Sequence, residues 1–149
     1  MGITVEAIAA ALVAALNDAA NDAEFTEEFT ATWDYVRVRD YTEYTTAPEV
    51  LVIPRIEENE PEDRADNRYT LGCGIAVIRK VADTEKETIQ PLLTLPRSIR
   101  DFLKKPEYRT MAGAEWKNTT FEILYGHDEL KNDATLVSII NTEYWVIQE

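Results

Sequence analysis

Apolar residues open the chain at helical spacing. Val5, Ile8, Leu12 and Leu16 recur at i, i+3 or i+4 on an alanine-rich background. Thr4 suits the N-cap, and Glu6 suits the positive end of the helix dipole. The pattern predicts a helix from about Val5 to Asn17 or a little further, fraying in the Asn-Asp-Ala-Ala-Asn-Asp stretch after Leu16. The period then drops to two. Phe29, Ala31, Trp33 and Tyr35 alternate with Thr30, Thr32 and Asp34, which predicts a strand over 29–40. Val36 and Val38 are apolar on the other parity, so either a bulge sits near Tyr35 or Val36, or both faces are buried.

Residues 49–57 read as a second strand, with Pro54 at an edge or a bulge because it has no backbone donor. Residues 69–81 give the clearest alternation. Tyr69, Leu71, Cys73, Ile75 and Val77 share one face; Thr70, Gly72, Gly74 and Ala76 share the other, where a helix or another backbone is expected to approach closely. Thr84 and Glu87 match a capping box. Ile89, Leu92, Leu93, Ile99, Phe102 and Leu103 then keep helical spacing to about Lys105, with kinks or restarts expected at Pro91 and Pro96 and a stop at Pro106. A loop over 106–115, a strand over 116–125, a polar turn over 126–134 and a strand over 135–147 complete the order α-β-β-β-α-β-β.

Between the second and third strands the pattern fails altogether. Glu57, Glu58, Glu60, Glu62, Asp63 and Asp66 are opposed there only by Arg64 and Arg68, so a long, solvated hairpin loop is expected over 57–68. With the flanking Arg55, these residues are the candidate interaction surface.

Composition narrows the classes. A chain of 149 residues with 45% hydrophobic content suits one domain spanning residues 1–149 with a true core. The single Cys73 forbids an internal disulfide and suits a reducing compartment. A formal charge of −13 argues against a surface that grips phosphates, though an acidic wall lets a polyanion pass without sticking. The apolar run from Ala7 to Leu16 is shorter than the roughly 20 residues of a membrane span. No Lys or Arg precedes it, so it is a poor signal peptide.

Candidate chemistry is sparse. His127, the only histidine, lies in a Gly-His-Asp-Glu turn and reads as a solvated loop residue. Cys73 reads as a packed strand residue, and one Cys with one His cannot make the usual structural zinc site. The acidic run lacks the spacing of a calcium loop, and no phosphate-binding glycine motif occurs. No catalytic residue, metal ligand or cofactor is assigned, and a non-enzyme is expected.

In its order and spacing the chain resembles the tail-terminator, or tail-completion, proteins of tailed bacteriophages. The resemblance rests on the opening Ile3–Ile8 helix, the strand Phe29–Trp33, the Val50–Arg55 strand before an acidic loop, and the final strand through Tyr144, Trp145 and Val146. It implies an α+β fold of two helices on a mostly antiparallel sheet of about five strands. It also implies a structural virion protein whose copies form a ring, usually a hexamer, at the neck of the particle. The implied partners are the tail tube and the head–tail connector, with DNA passing through the lumen unbound and no membrane contact; assembly would take place in the host cytoplasm. Pro91, Pro96 and the long acidic loop depart from the family pattern. The alternatives are another neck or tail-tube component, or an acidic module that binds or inhibits a basic partner. On the ring reading, residues 1–28, which contain no Lys or Arg, or the acidic loop should face the channel or a neighbour's basic side chains.

Overall fold

A computed structural model describes residues 3–36, 43–60 and 67–148. The first helix, α1 (Val5–Asn21), starts where expected, with the Thr4 hydroxyl accepting from the Ala7 amide at 3.2 Å. It does not fray after Leu16. The amides of Ala23 and Glu24 return to the carbonyls of Ala20 and Ala19, and Ala23 adopts φ 57°, the left-handed conformation that closes a helix. Asn17 explains why the helix extends. Its side-chain amide donates to the Ala31 carbonyl at 3.0 Å and accepts from the Ala31 amide at 2.7 Å, replacing a strand partner for that residue.

That clamp sets the edge strand β1 (Ala31–Trp33), which pairs in parallel with β2 (Glu49–Glu60). The strand predicted over 29–40 is therefore short, and its part at 37–40 lies outside the described residues. The reason is local. After the Asp34 amide bonds the Val52 carbonyl, the Asp34 carboxylate accepts from the Tyr35 amide at 2.7 Å and turns the chain out of the ladder.

All other pairings are antiparallel. β2 pairs with β3 (Asn67–Lys80), β3 with β6 (Thr135–Gln148), β6 with β5 (Ala114–Ile123) and β5 with β4 (Thr110–Met111). Among the described residues the six strands lie in the order β1-β2-β3-β6-β5-β4. The fold is thus α+β, with helices packed on a mostly antiparallel sheet. The β2–β3 ladder continues to Glu60 opposite Arg68, so the hairpin loop is shorter than the acidic composition suggests. β4 was not expected. It forms because Ala112 and Gly113 both take positive φ, which makes a two-residue hairpin turn.

The second helical region divides at Leu93 into α2 (Lys86–Leu92) and α3 (Thr94–Phe102). Pro96 falls in the first turn of α3, where an amide donor has no intrahelical partner to lose. The Thr84–Glu87 capping box does not form. Asp83 takes its place, accepting from the Glu85 amide at 2.9 Å; hydrogen bonds from Thr88 and Glu85 hold its carboxyl below the usual range. The predicted polar turn over 126–134 contains a two-turn helix, α4 (His127–Asp133), closed by Ala134 at φ 49°.

One face of the sheet carries the main core. Ile8, Leu12 and Leu16 of α1 and Leu95 and Ile99 of α3 pack on Leu71, Cys73, Ile75, Ile140 and Tyr144. Each fully buried aliphatic side chain there contributes roughly 1.5–3 kcal/mol of transfer free energy. A smaller cluster of Tyr44, Ala76, Ile78, Val137 and Ile139 lies on the opposite face, and Val81, Ile89, Leu93 and Leu136 seat α2.

Candidate functional site

Three β-bulges shape the face of the sheet that α1 and α3 leave uncovered. The pairing shifts between Pro54 and Ile56, between Trp116 and Asn118, and between Phe121 and Ile123. The residues left over are Arg55, Lys117 and Glu122, all charged. Bulges re-aim side chains, and these three converge over β3 and β6. Arg55 donates to Asn141 at 3.0 Å and pairs with Glu122 at 2.7 Å. Lys117 approaches Glu143 at 3.6 Å and donates to Thr70 at 3.2 Å.

Glycine makes this crossing possible. A Cβ on Gly74 would sit 2.8 Å from Arg55 Cδ, and one on Gly72 would sit 3.1 Å from Ile56 Cβ. The small-residue face of β3 therefore accepts neighbouring side chains, not a helix or a second backbone. Pro54 sits both at a bulge and beyond Val52, the last β2 residue that β1 covers, so both of its expected roles hold.

The candidate interaction residues separate. Arg55 and Arg68 lie on the sheet surface, with the Arg68 guanidinium 4.8 Å from the centre of the Trp145 ring. Glu57 and Glu58 are exposed on β2, and Glu60 is placed by its backbone opposite Arg68. Glu62, Asp63, Arg64 and Asp66 lie outside the described residues. Lys117 and Glu122 were missed by sequence reasoning, although the signal was present: Trp116, Thr119 and Phe121 all face the core, which strict alternation forbids.

The acids of residues 1–28 are partly engaged within the chain. Glu27 meets buried Arg79 at 2.7 Å, and Arg79 also donates to the Thr46 carbonyl, strapping the segment after α1 to the end of β3. Glu24 lies 3.8 Å from Lys105. The charge left at this end is still felt. The Tyr108 phenol is pushed up by burial and then by Glu24, Glu107, Asp18 and Asp22. Cys73 is buried on the core face; burial, with a smaller push from Glu6, raises its thiol to about 12. His127 is exposed at the start of α4. Among the described residues no group of three or more His, Cys, Asp or Glu could hold a metal ion, and no helix is long and apolar enough to cross a membrane.

Among the described residues, the exposed large apolar side chains gather in two places. Trp33, the last residue of β1, forms a ridge with Tyr35 and Val36 just beyond it, with the two rings edge to face at 5.5 Å and the Tyr35 hydroxyl donating to Glu6 at 2.9 Å. That bond, more than any other influence, raises the Tyr35 pKa. Ile123 and Tyr125 stand at the end of β5, four strand spacings away, or roughly 19 Å at the usual 4.8 Å per strand. Tyr125 borders a groove of about 580 Å³ between α2 and α4, floored by Ile89, Leu93 and Leu130.

An α+β sheet protein with a clamped polar face and two apolar patches on opposite edges is the class these features define. No protein-family model and no curated protein matches the chain. A solved structure whose name is a bare identifier aligns with 99% of this chain and 98% of its own length, at 16% identity and a TM-score of 0.47. A likeness at that level says nothing of what this chain does.

Proposed function

We propose that the protein is a structural assembly subunit, a tail terminator whose copies close into a ring, usually of six, where a phage tail tube meets the head connector. The observation that carries the self-assembly is the pair of exposed apolar patches at opposite edges of the sheet. Patches that differ from one another favour head-to-tail contacts, and head-to-tail contacts close into rings when the rotation allows. The identity of the ring rests on the family resemblance, with which the α+β architecture and the charge of −13 agree.

The test is to add purified protein to polymerising tail tubes and image them by electron microscopy. Tubes should stop growing and carry a ring-shaped cap at one end. Protein that leaves tube length and tube ends unchanged would remove the terminator reading. Long tubes formed by the purified protein alone would indicate a tube subunit instead.

A second reading has its own observation. Residues 1–78 hold 16 Asp and Glu against five Lys and Arg, a concentration suited to binding a basic partner. Capture of one such partner at low salt, lost at high salt, would favour that binding module.

A further inference from the structure

We infer that the Trp33–Val36 ridge of one copy docks into the α2/α4 groove of the next, and that this is the contact that propagates the ring. The inference rests on the assembly reading above and assigns its surface.

Charge selects the occupant. The groove lining includes Lys86, Lys131 and His127 and no carboxylate, in a protein whose formal charge is −13. Neither lysine makes an ion pair among the described residues. The ridge has the opposite character. Asp34 lies within it, Glu6 holds its tyrosine, and Glu28 and Glu43 line, together with Trp33, Asp34 and Val36, a pocket at its foot. Arg37 and Arg39 follow Val36 and lie outside the described residues; even with them, residues 27–49 hold six acids against two bases. An apolar groove rimmed by lysines therefore faces, on the far edge of the same subunit, an apolar ridge rimmed by carboxylates. Lining against lining the two surfaces are opposite in sign, while Asp83, Glu85, Glu87, Asp128, Glu129 and Asp133 of the groove's own helices and caps lie outside its lining.

The sheet edges point to the same mode of contact. β5 carries bulges at Lys117 and Glu122, and the part of β2 that β1 leaves uncovered carries Pro54 and the Arg55 bulge. Bulges, proline and charge on an edge oppose strand addition. Copies are left to meet through side chains, which a ridge in a groove provides.

Disulfide trapping tests the contact. Cys73 is buried and leaves no reactive background. The double variant Val36→Cys/Gln90→Cys, with Gln90 in the groove lining, should form, under mild oxidation, a ladder of cross-linked species ending at the ring size. Mixing the two single variants should give a heterodimer and nothing larger. A second set keeps the groove but changes its sign: Lys86→Glu/Lys131→Glu should cut the yield at least tenfold. Pairing those groove-reversed copies with Asp34→Lys/Glu28→Lys copies should restore it. A double variant that fails to ladder, or single variants that cross-link to themselves as readily as to each other, would overturn the contact. Sedimentation of the unmodified protein separates the two levels. Rings without a ladder would leave the assembly reading standing and discard this interface. Absence of both rings and a ladder would remove the two together.

Discussion

At the scale of single residues, the informative positions are those that accept strain or burial. Ala23, Ala112 and Ala134 all hold positive φ, where a Cβ is disfavoured and glycine is not. Ala23→Gly and Ala134→Gly should therefore each stabilise the fold, by about 0.5–1 kcal/mol, and raise the melting temperature by about 1–4 °C in a chain of this size. Thermal melts of the two variants check this. Cys73 and Tyr144 are buried in the core, and burial raises their pKa values from 9.0 and 10.0 respectively to about 12 in both cases. Below pH 9 both folded and unfolded chains keep the two protons, and these groups leave stability unchanged. Above that the unfolded chain releases them first while the folded chain holds them to about pH 12. Stability should thus fall as pH rises, by roughly 1.4 kcal/mol per unit for each group. In urea titrations from pH 8 to 11, Cys73→Ala should remove most of the fall between pH 9 and 10 and lessen it above, where the raised tyrosines still contribute.

At the scale of elements, the sequence was legible wherever one periodicity ran unbroken. The alternation of β3 and the helical spacing of α1 place their main-core residues correctly, because the contact between helix and sheet dictates both patterns, although β3 is buried on its other face as well. It was misread where side chains bond the backbone. Asn17 in a run of polar residues looked like a fraying end, yet it docks β1; Asp34 looked like an outward strand residue, yet it ends the strand. Such bonds depend on a partner distant in sequence or on a local competition that periodicity does not register. The ridge and groove of the proposed contact were illegible for a related reason. Acid density drew attention to 57–68, while the ridge and groove are built from ordinary apolar residues that only the tertiary fold leaves exposed. The Asn17 clamp gives an element-scale prediction. Asn17→Ala should cost about 1–2 kcal/mol by leaving both backbone groups of Ala31 without a partner. Hydrogen exchange at the Ala31 amide should rise sharply, while amides in the middle of β3 stay protected.

At the scale of the whole molecule, charge is distributed unevenly. Residues 79–131 hold ten Lys and Arg against nine Asp and Glu, so the first half carries most of the excess. Repulsion among those acids should weaken the compact state at low ionic strength. Raising NaCl from about 10 mM to about 0.2 M shortens the screening length from roughly 30 Å to below 10 Å. The melting temperature should rise by a few degrees over that range; a flat response would mean that pairs such as Arg79–Glu27 already neutralise the field locally. The centre of the sheet sets a limit of another kind. β6, the last strand along the chain, lies between β3 and β5, and its ladder with β3 joins residues roughly 55 to 80 positions apart, contacts of the kind that slow folding. Until Thr135–Gln148 has left the ribosome, β3 has neither its central partner nor a complete core, and its apolar face is open to other chains. The sheet therefore closes only once β6 is available, and until then the exposed strands of the nascent chain are open to aggregation.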